Sequence, residues 1–423
     1  MTRVFQGPGR PFGADITLPG DKSLSHRALV LAAMSSETSR ISGLGPGLDV
    51  ASTRSAIEAL GAEVTSSGGT VTVLGGPGHW HPPGTLDCGN SGTTIRLLSG
   101  ALAAAPFTST LIGDASLSRR PMLRLVEPLA ALGAVIRTSA AGTAPIVVEG
   151  QRLVGAAVSL GLPSAQVRTA VALAALQADG ATTITSPPGF RDHTERWLAE
   201  LGLGHWVDAT TFQVIPNGVP AIDLAIPGDP SSAAFVWAAA TLVPGSEVTT
   251  RGVSLNPGRI GFLHILEGMG AGVDIRPTGD ALGDPIGDVT VRQRPLSGMR
   301  VEGRHSAAAI DELPLVAILA AAADGETVVA DAAELRVKES DRVLGVVRLV
   351  TALGGDAEER FDGFVVRGRP LTAGVVDADG DHRLAMTAAV AASGGGRVEV
   401  VGFDATSVSW PGFDTVLEGL WSS

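Results

Sequence analysis

Lys22-Ser23-Leu24-Ser25-His26-Arg27-Ala28-Leu29-Val30-Leu31-Ala32-Ala33-Met34 opens on charged and hydroxyl side chains and closes as an apolar, alanine-rich run. Small residues on every side of a helix mean burial on every side and close approach of neighbouring backbones, so the stretch reads as an interior helix. The same design recurs at Asn90–Ala105, Ser164–Ala178, Asp229–Val243, Asp311–Ala323 and Asp381–Ala392, with starts 65 to 82 residues apart. Their heads carry Ser, Asp or Asn, the residues that cap helix N-termini.

A second, amphipathic segment alternates with the first and usually ends in Leu-Gly or Met-Gly. Examples are Ala56–Gly61, Pro128–Gly133, Glu195–Gly202, Leu263–Gly270 and Leu349–Gly354. The glycine is a helix C-cap, and stretches such as Thr70–Leu74 and Phe364–Arg367 read as strands. Each unit therefore reads strand, buried helix, strand, exposed helix, strand, strand, and there are six of them. A repeat must be recognised before the fold is assigned. The expected fold is α/β, with two lobes of three βαβαββ units each and the six buried helices aiming their N-termini at the cleft between the lobes. The regular spacing counts against the alternative of an ordinary doubly wound α/β protein. The chain stops just after Pro411–Leu420, the sixth exposed helix, and Arg3–Gln6 can supply the missing strand. That closure places residues 1–18 and 229–423 in one lobe (units 4–6) and inserts residues 19–228 (units 1–3) as the other. The crossings fall near Leu18–Gly20 and Ile226–Asp229.

Composition narrows the function. A chain of 42.9 kDa exceeds one ordinary core. A net charge of -12 argues against nucleic-acid binding, which needs a broad basic surface. Cys88 is the only cysteine, so there is no intrachain disulfide and no cysteine-rich metal site. The first residues lack the apolar core of a signal peptide, and the longest apolar run, Leu313 to Ala323, is too short to span a bilayer. A cytoplasmic monomer without metal or cofactor is expected; His79, His81 and His193 lack ligand spacing and read as loop residues.

The helix heads hold the most polar residues of the chain. A helix N-terminus presents free N–H groups and a partial positive charge, so it attracts anions. The heads supply Lys22, Ser23, Arg27, Asn90, Ser91, Gly92, Thr93, Arg96, Ser164, Gln166, His382 and Arg383, while Arg120 and Arg342 lead exposed helices. Arginine forks match carboxylate and phosphate, so the expected partner is a small anion carrying both groups. Against 29 arginines there are only two lysines, Lys22 and Lys338. Lysine offers what arginine does not, an ammonium able to give up a proton. Asp311, Glu312 and Glu339 sit among these cations as candidate acids and bases.

These segments resemble the 5-enolpyruvylshikimate-3-phosphate synthase family. The resemblance runs from about residue 8 to 415. It rests on Leu18–Arg27, Gly89–Arg96, Ser164-Ala165-Gln166, Arg336–Arg342 and Asp381–Met386. It implies an enolpyruvyl transferase fold, an inside-out α/β barrel of two lobes. It also implies transfer of the enolpyruvyl group of phosphoenolpyruvate to the 5-hydroxyl of shikimate 3-phosphate through a tetrahedral ketal, without metal or cofactor. By motif position, Ser23, Arg27, Ser164 and Ala165 would hold shikimate 3-phosphate, joined by Lys338 and Asp311 at its ring. Gly92, Arg120, Arg342 and Arg383 would surround phosphoenolpyruvate, with Lys22 and Gln166 meeting both substrates. Asp311 would take the hydroxyl proton, and Lys22 and Glu339 would serve the methylene carbon. The inhibitor glyphosate would occupy the phosphoenolpyruvate site.

The chain departs from the best-known branch of that family. It has no tyrosine, so Phe190 or Arg191 falls where a substrate-contacting Tyr is usual. Glu334 replaces an Asn, Ala165 replaces a Ser, and Ser407–Pro411 lacks a phosphoenolpyruvate-binding Lys. The pattern Glu334–Arg342 resembles the Bacillus-type branch. The sister enzyme, UDP-N-acetylglucosamine enolpyruvyl transferase, usually carries a reactive Cys near 114–121, and this chain has none there. A non-catalytic two-lobed anion-binding protein would explain the arginines but not the acids and two lysines beside them.

Overall fold

The computed structural model describes all of Met1–Ser423. The chain forms two compact units of nearly equal size. One comprises Met1–Pro19, Gly228–Gly279 and Pro285–Ser423; the other comprises Gly20–Pro227 together with Asp280–Asp284, the tip of a long hairpin.

Each unit is built on three interior helices. In the inserted unit these are α1 (Lys22–Met34), α2 (Gly92–Ala101) and α3 (Ala165–Ala175). In the terminal unit they are α4 (Pro230–Leu242), α5 (Leu313–Ala321) and α6 (His382–Ala391). Every residue of α5 and α6 is buried, as the small-residue walls required. Within each unit the helices pack on one another: α2 lies against α1 and α3, and α4, α5 and α6 touch pairwise. The approach is close enough that a Cβ on Gly100 of α2 would fall 2.0 Å from the Ala170 carbonyl oxygen of α3.

Six separate sheets surround the helices, none of them closed into a barrel. The order within a unit of the repeat is first, second, fourth, third strand. Thr85–Asp87 runs parallel to Thr108–Ile112, for example, which pairs antiparallel with Ile146–Glu149 and it in turn with Val135–Arg137. Grouping each first strand with the helix that follows it fails in units 1 and 4. Gly13–Thr17 runs parallel to Glu247–Arg251 of unit 4, and Asp223–Ala225 runs parallel to Arg40–Ser42 of unit 1. The reason is where the chain changes unit: both changes come after a first strand, at Pro19/Gly20 and Pro227/Gly228. The sixth sheet has three strands, with Thr2–Gln6 antiparallel to Arg397–Val401 in the place of a closing hairpin strand.

The exposed helices are Leu48–Ala59, Val126–Ala130, His193–Glu200, Gly261–Met269, Arg342–Ala352 and Phe413–Ser422. Gly270 ends its helix in the left-handed conformation, a residue with no Cβ to clash there. Arg342 starts its helix as expected, but Arg120 does not lead one. It is extended and closes the short turn Leu117–Arg119, because Pro121 intervenes before Val126–Ala130. No helix is long and apolar enough to cross a membrane.

Gly100→Ala tests the helix packing. Intrinsic propensity favours Ala in a helix by ~1 kcal/mol. The added methyl can be accommodated here only by moving α2 away from a backbone carbonyl, and overpacking costs about 1–3 kcal/mol or more. The urea midpoint should fall. A raised midpoint would mean that α2 and α3 do not touch at this point.

Candidate active site

The sequence-predicted residues form one cluster in each unit, at the heads of the interior helices. In the inserted unit the caps are conventional: Asp21 accepts from the Leu24 N–H, Ser91 from Thr94 and Ser164 from Val167. Their remaining neighbours are the polar side chains themselves. Lys22 at the first position of α1 pairs with Asp49 at 3.0 Å. The Arg27 guanidinium is held from three sides, by the Ser23 carbonyl at 2.9 Å and by the hydroxyls of Thr194 and Thr169 at 2.8 and 3.0 Å. Gln166 of α3 accepts from Arg96 at 2.5 Å and donates to Thr93 at 2.9 Å, which ties the heads of α2 and α3 together. Arg120 donates to Asn90 at 2.6 Å, so it joins this cluster from its loop. A Cβ on Gly92 would come within 2.9 Å of an Arg96 nitrogen and 3.2 Å of an Arg120 nitrogen. Ser23 and Ala165 stand at the starts of α1 and α3, beside Arg27 and Gln166.

In the terminal unit the cluster centres on Arg342, which is 1% exposed. It donates to Asp381 at 2.7 Å and to Glu339 at 2.6 Å, and it lies 3.5 Å from Asp311. Burial alone would ease deprotonation of Arg342; Asp381, Glu339 and Asp311 more than offset it and raise its pKa. Burial likewise works to raise the Asp381 carboxyl, but Arg342 outweighs it and holds Asp381 below the usual carboxylate range. Lys338 lies 3.5 Å from Asp311 and 3.7 Å from Glu334. Asp311 is not a helix cap: α5 begins two residues later, behind Glu312, and no side chain caps it. Arg383 donates to the Asp311 carbonyl at 2.9 Å, and Asp381 caps its helix α6.

Sequence reasoning missed Asp49, Thr169 and Thr194. Asp49 and Thr53 occupy i and i+4 of the stripe that continues through Ala56 and Ile57, so two polar residues in an apolar register were the available signal. Thr53 binds His26 at 2.6 Å and Thr94 at 2.6 Å, a buried layer one turn beneath Lys22 and Asp49. Of the two candidates for the missing Tyr, Phe190 is committed elsewhere: its ring lies 4.1 Å from the Arg168 guanidinium carbon and stacks on Trp206. Arg168 in turn forms a buried pair with Glu195 at 2.5 Å. At the C-terminal end, Trp410 packs on Phe413. Cys88 is a core residue: burial, then the charge of Asp87, pushes its thiol up to about 12, so it offers no thiolate. No three His, Cys, Asp or Glu side chains are grouped as metal ligands.

The chain matches the family model of EPSP synthase (3-phosphoshikimate 1-carboxyvinyltransferase) over residues 7–417. It is 46% identical over 427 residues to the 3-phosphoshikimate 1-carboxyvinyltransferase of Roseiflexus castenholzii, covering 99% of both chains. It is 45% identical to that of Limosilactobacillus fermentum, covering 96% of this chain and 95% of the relative. The EPSP synthase structure from Acinetobacter baumannii superimposes with a TM-score of 0.88 at 35% identity, over 99% of this chain and 98% of the other. An enolpyruvyl transferase from Streptomyces tendae shares the fold, with a TM-score of 0.80 at 20% identity over 99% and 97%.

The buried layer gives a pH prediction. Burial first, then the charges of Lys22 and Arg27, hold the His26 pKa well below its ordinary value of 6.5. Folding then excludes a proton that the unfolded chain accepts. Stability from this residue is complete above pH ~6.5 and is lost as pH falls toward the native pKa, at up to ~1.4 kcal/mol per pH unit. Replacing His26 by Asn should flatten the decline in urea stability between about pH 6.5 and 5 relative to the wild type. An unchanged slope would show that His26 is protonated in the native state.

Proposed function

The chain belongs to the EPSP synthase family, and from that membership we propose which residues carry each part of the reaction. The enzyme transfers the enolpyruvyl group of phosphoenolpyruvate to the 5-hydroxyl of shikimate 3-phosphate and releases phosphate. In the addition step the hydroxyl oxygen bonds to C2 of phosphoenolpyruvate while C3 gains a proton. In the elimination step C3 returns a proton and phosphate leaves.

The observation that carries the assignment of roles is the cluster around Arg342. Asp311 lies about equally far from Lys338 and Arg342, 3.5 Å from each. A carboxylate set between two cations is placed to take a proton from a hydroxyl bound beside them, and we assign it as the base for the 5-hydroxyl proton. Glu339, accepting from Arg342 at 2.6 Å, is stabilised as the anion and suits the step in which C3 gives a proton back. Lys22 is the donor to C3 in the addition step, and Asp49 orients it. Ser23, Arg27, Ser164, Ala165, Gln166 and Lys338 bind shikimate 3-phosphate. Arg191, half-buried beside the engaged Phe190, takes the place of the missing Tyr. Gly92, Arg120, Arg342 and Arg383 bind phosphoenolpyruvate, with Lys22 and Gln166 shared. The bidentate geometry of arginine suits both anionic ends of that substrate. The working compartment is the cytoplasm.

Turnover tests this. Phosphate should be released from phosphoenolpyruvate with shikimate 3-phosphate as acceptor, in excess EDTA, and not with UDP-N-acetylglucosamine. Lys22→Arg should lose at least ~100-fold in kcat, since a positioned proton donor contributes about that much, and Lys338→Arg, which displaces the ammonium 3.5 Å from the base Asp311, should lose kcat as well. Wild-type turnover in either would remove that lysine from the chemistry.

Gly92→Ala tests the phosphoenolpyruvate side. Its methyl presses on Arg96 and Arg120. The larger anion, glyphosate, should lose at least ~10-fold in affinity, about 1.4 kcal/mol, while the KM for phosphoenolpyruvate rises less. Equal losses for both would mean that Gly92 does not set the size of the site.

A further inference from the structure

The head of α4 contributes no substrate group under the reading above, yet it is among the most polar buried places in the terminal unit. Asp229 caps α4 through the Ser231 N–H at 2.7 Å. Arg259 donates to Asp229 and to the Ser231 hydroxyl, both at 2.9 Å. Ser231 passes its own hydrogen on to Oε1 of Glu312 in a short contact. The same Oε1 accepts from Nη1 of Arg383 at 3.3 Å. Ser231, Arg259 and Glu312 are all 5% exposed or less.

Glu312 has no other evident task. It stands at the cap position of α5 but makes no cap bond, and its buried Oε2 has no hydrogen-bond partner. A carboxylate so placed costs free energy unless a charge compensates it. Arg383 is that charge, and the constraint acts in both directions. Nη1 of Arg383 is pinned from behind by Glu312 and by the Asp311 carbonyl, while Nε and Nη2 have no protein partner. A guanidinium fixed at one nitrogen keeps its other donors aligned for a bidentate anion and has less rotamer freedom to lose on binding.

We propose that Glu312, seated by Ser231, is a positioning residue that presets Arg383 for the carboxylate or phosphate of phosphoenolpyruvate. The proposal rests on Arg383 belonging to the phosphoenolpyruvate site. It gives α4 a part in the reaction that its lack of substrate ligands conceals.

The experiment compares Glu312→Ala, Glu312→Gln, Ser231→Ala and Arg383→Lys in steady-state kinetics with phosphoenolpyruvate varied. Binding of shikimate 3-phosphate alone is followed by calorimetry. Glu312→Ala should raise the KM for phosphoenolpyruvate about 10- to 100-fold, the worth of a hydrogen bond to a charged group. The affinity for shikimate 3-phosphate should stay within about twofold of wild type. Glu312→Gln keeps an acceptor in place and should recover part of the loss. Ser231→Ala should shift KM in the same direction by less. Combining Glu312→Ala with Arg383→Lys should add little to Arg383→Lys alone. If Glu312→Ala fails to fold, Ser231→Ala and Glu312→Gln decide. An unchanged KM in these variants, with a raised KM in Arg383→Lys, overturns the role of Glu312 and leaves the site assignment standing. An unchanged KM in Arg383→Lys removes Arg383 from the site, and the inference with it.

Discussion

Three helices can share one dry core only if their walls are made of small residues. That constraint is met twice in this chain, and much else follows from it. The approach of Gly100 to the Ala170 carbonyl leaves no room for a side chain between α2 and α3. Charged side chains are therefore kept to the first two turns of these helices. There the unsatisfied N–H groups of the first turn need acceptors and favour negative charge. Asp21, Ser91, Ser164, Asp229 and Asp381 serve as caps. The side chains beside them then meet across neighbouring heads, as Gln166 meets Arg96 and Arg383 meets Glu312. The packing rule that sets the fold also assembles the polar clusters.

The terminal unit shows how such a cluster tolerates so much buried charge. Arg342 has three carboxylates near it, and their charges outweigh the penalty of its burial. The cost of burying each acid is offset in the same way, since breaking one member of a buried ion set leaves its partners uncompensated. Within the set the distances differ. Asp381 and Glu339 are held at 2.7 and 2.6 Å, whereas Asp311 stands 3.5 Å from its two cations.

The parts of this architecture legible in the sequence were those written in composition. Alanine-rich runs such as Leu313–Ala321 announce burial on all sides, and the glycine after five of the six exposed helices marks its end. The strand at Thr2–Gln6 follows from counting, because the sixth unit is one hairpin short. Pairing partners are a different matter. Gly13–Thr17 pairs with Glu247–Arg251 and Asp223–Ala225 with Arg40–Ser42, partners decided by where the chain crosses and not by strand composition. Arg120 was misplaced for a local reason: Pro121 holds the residue before it extended, and the exposed helix starts late. Asp49 was missed because an acid in a helix's first turn is an ordinary thing to see. Only its burial and its contact with Lys22 distinguish it.

The two lysines, a compositional oddity at first, acquire a physical reading from their surroundings. Each lies beside a carboxylate carried by a different element, Lys22 beside Asp49 and Lys338 beside Asp311. Both side chains are 22% exposed, so each is neither dissolved in solvent nor sealed in the core. Arginine fills deeper positions, Arg168, Arg259 and Arg342, where a permanent charge and several directed donors are needed. Lysine stands where a single mobile ammonium meets an acid at the edge of the cluster. In a chain of 29 arginines and two lysines, both lysines stand at such an edge, each beside a carboxylate.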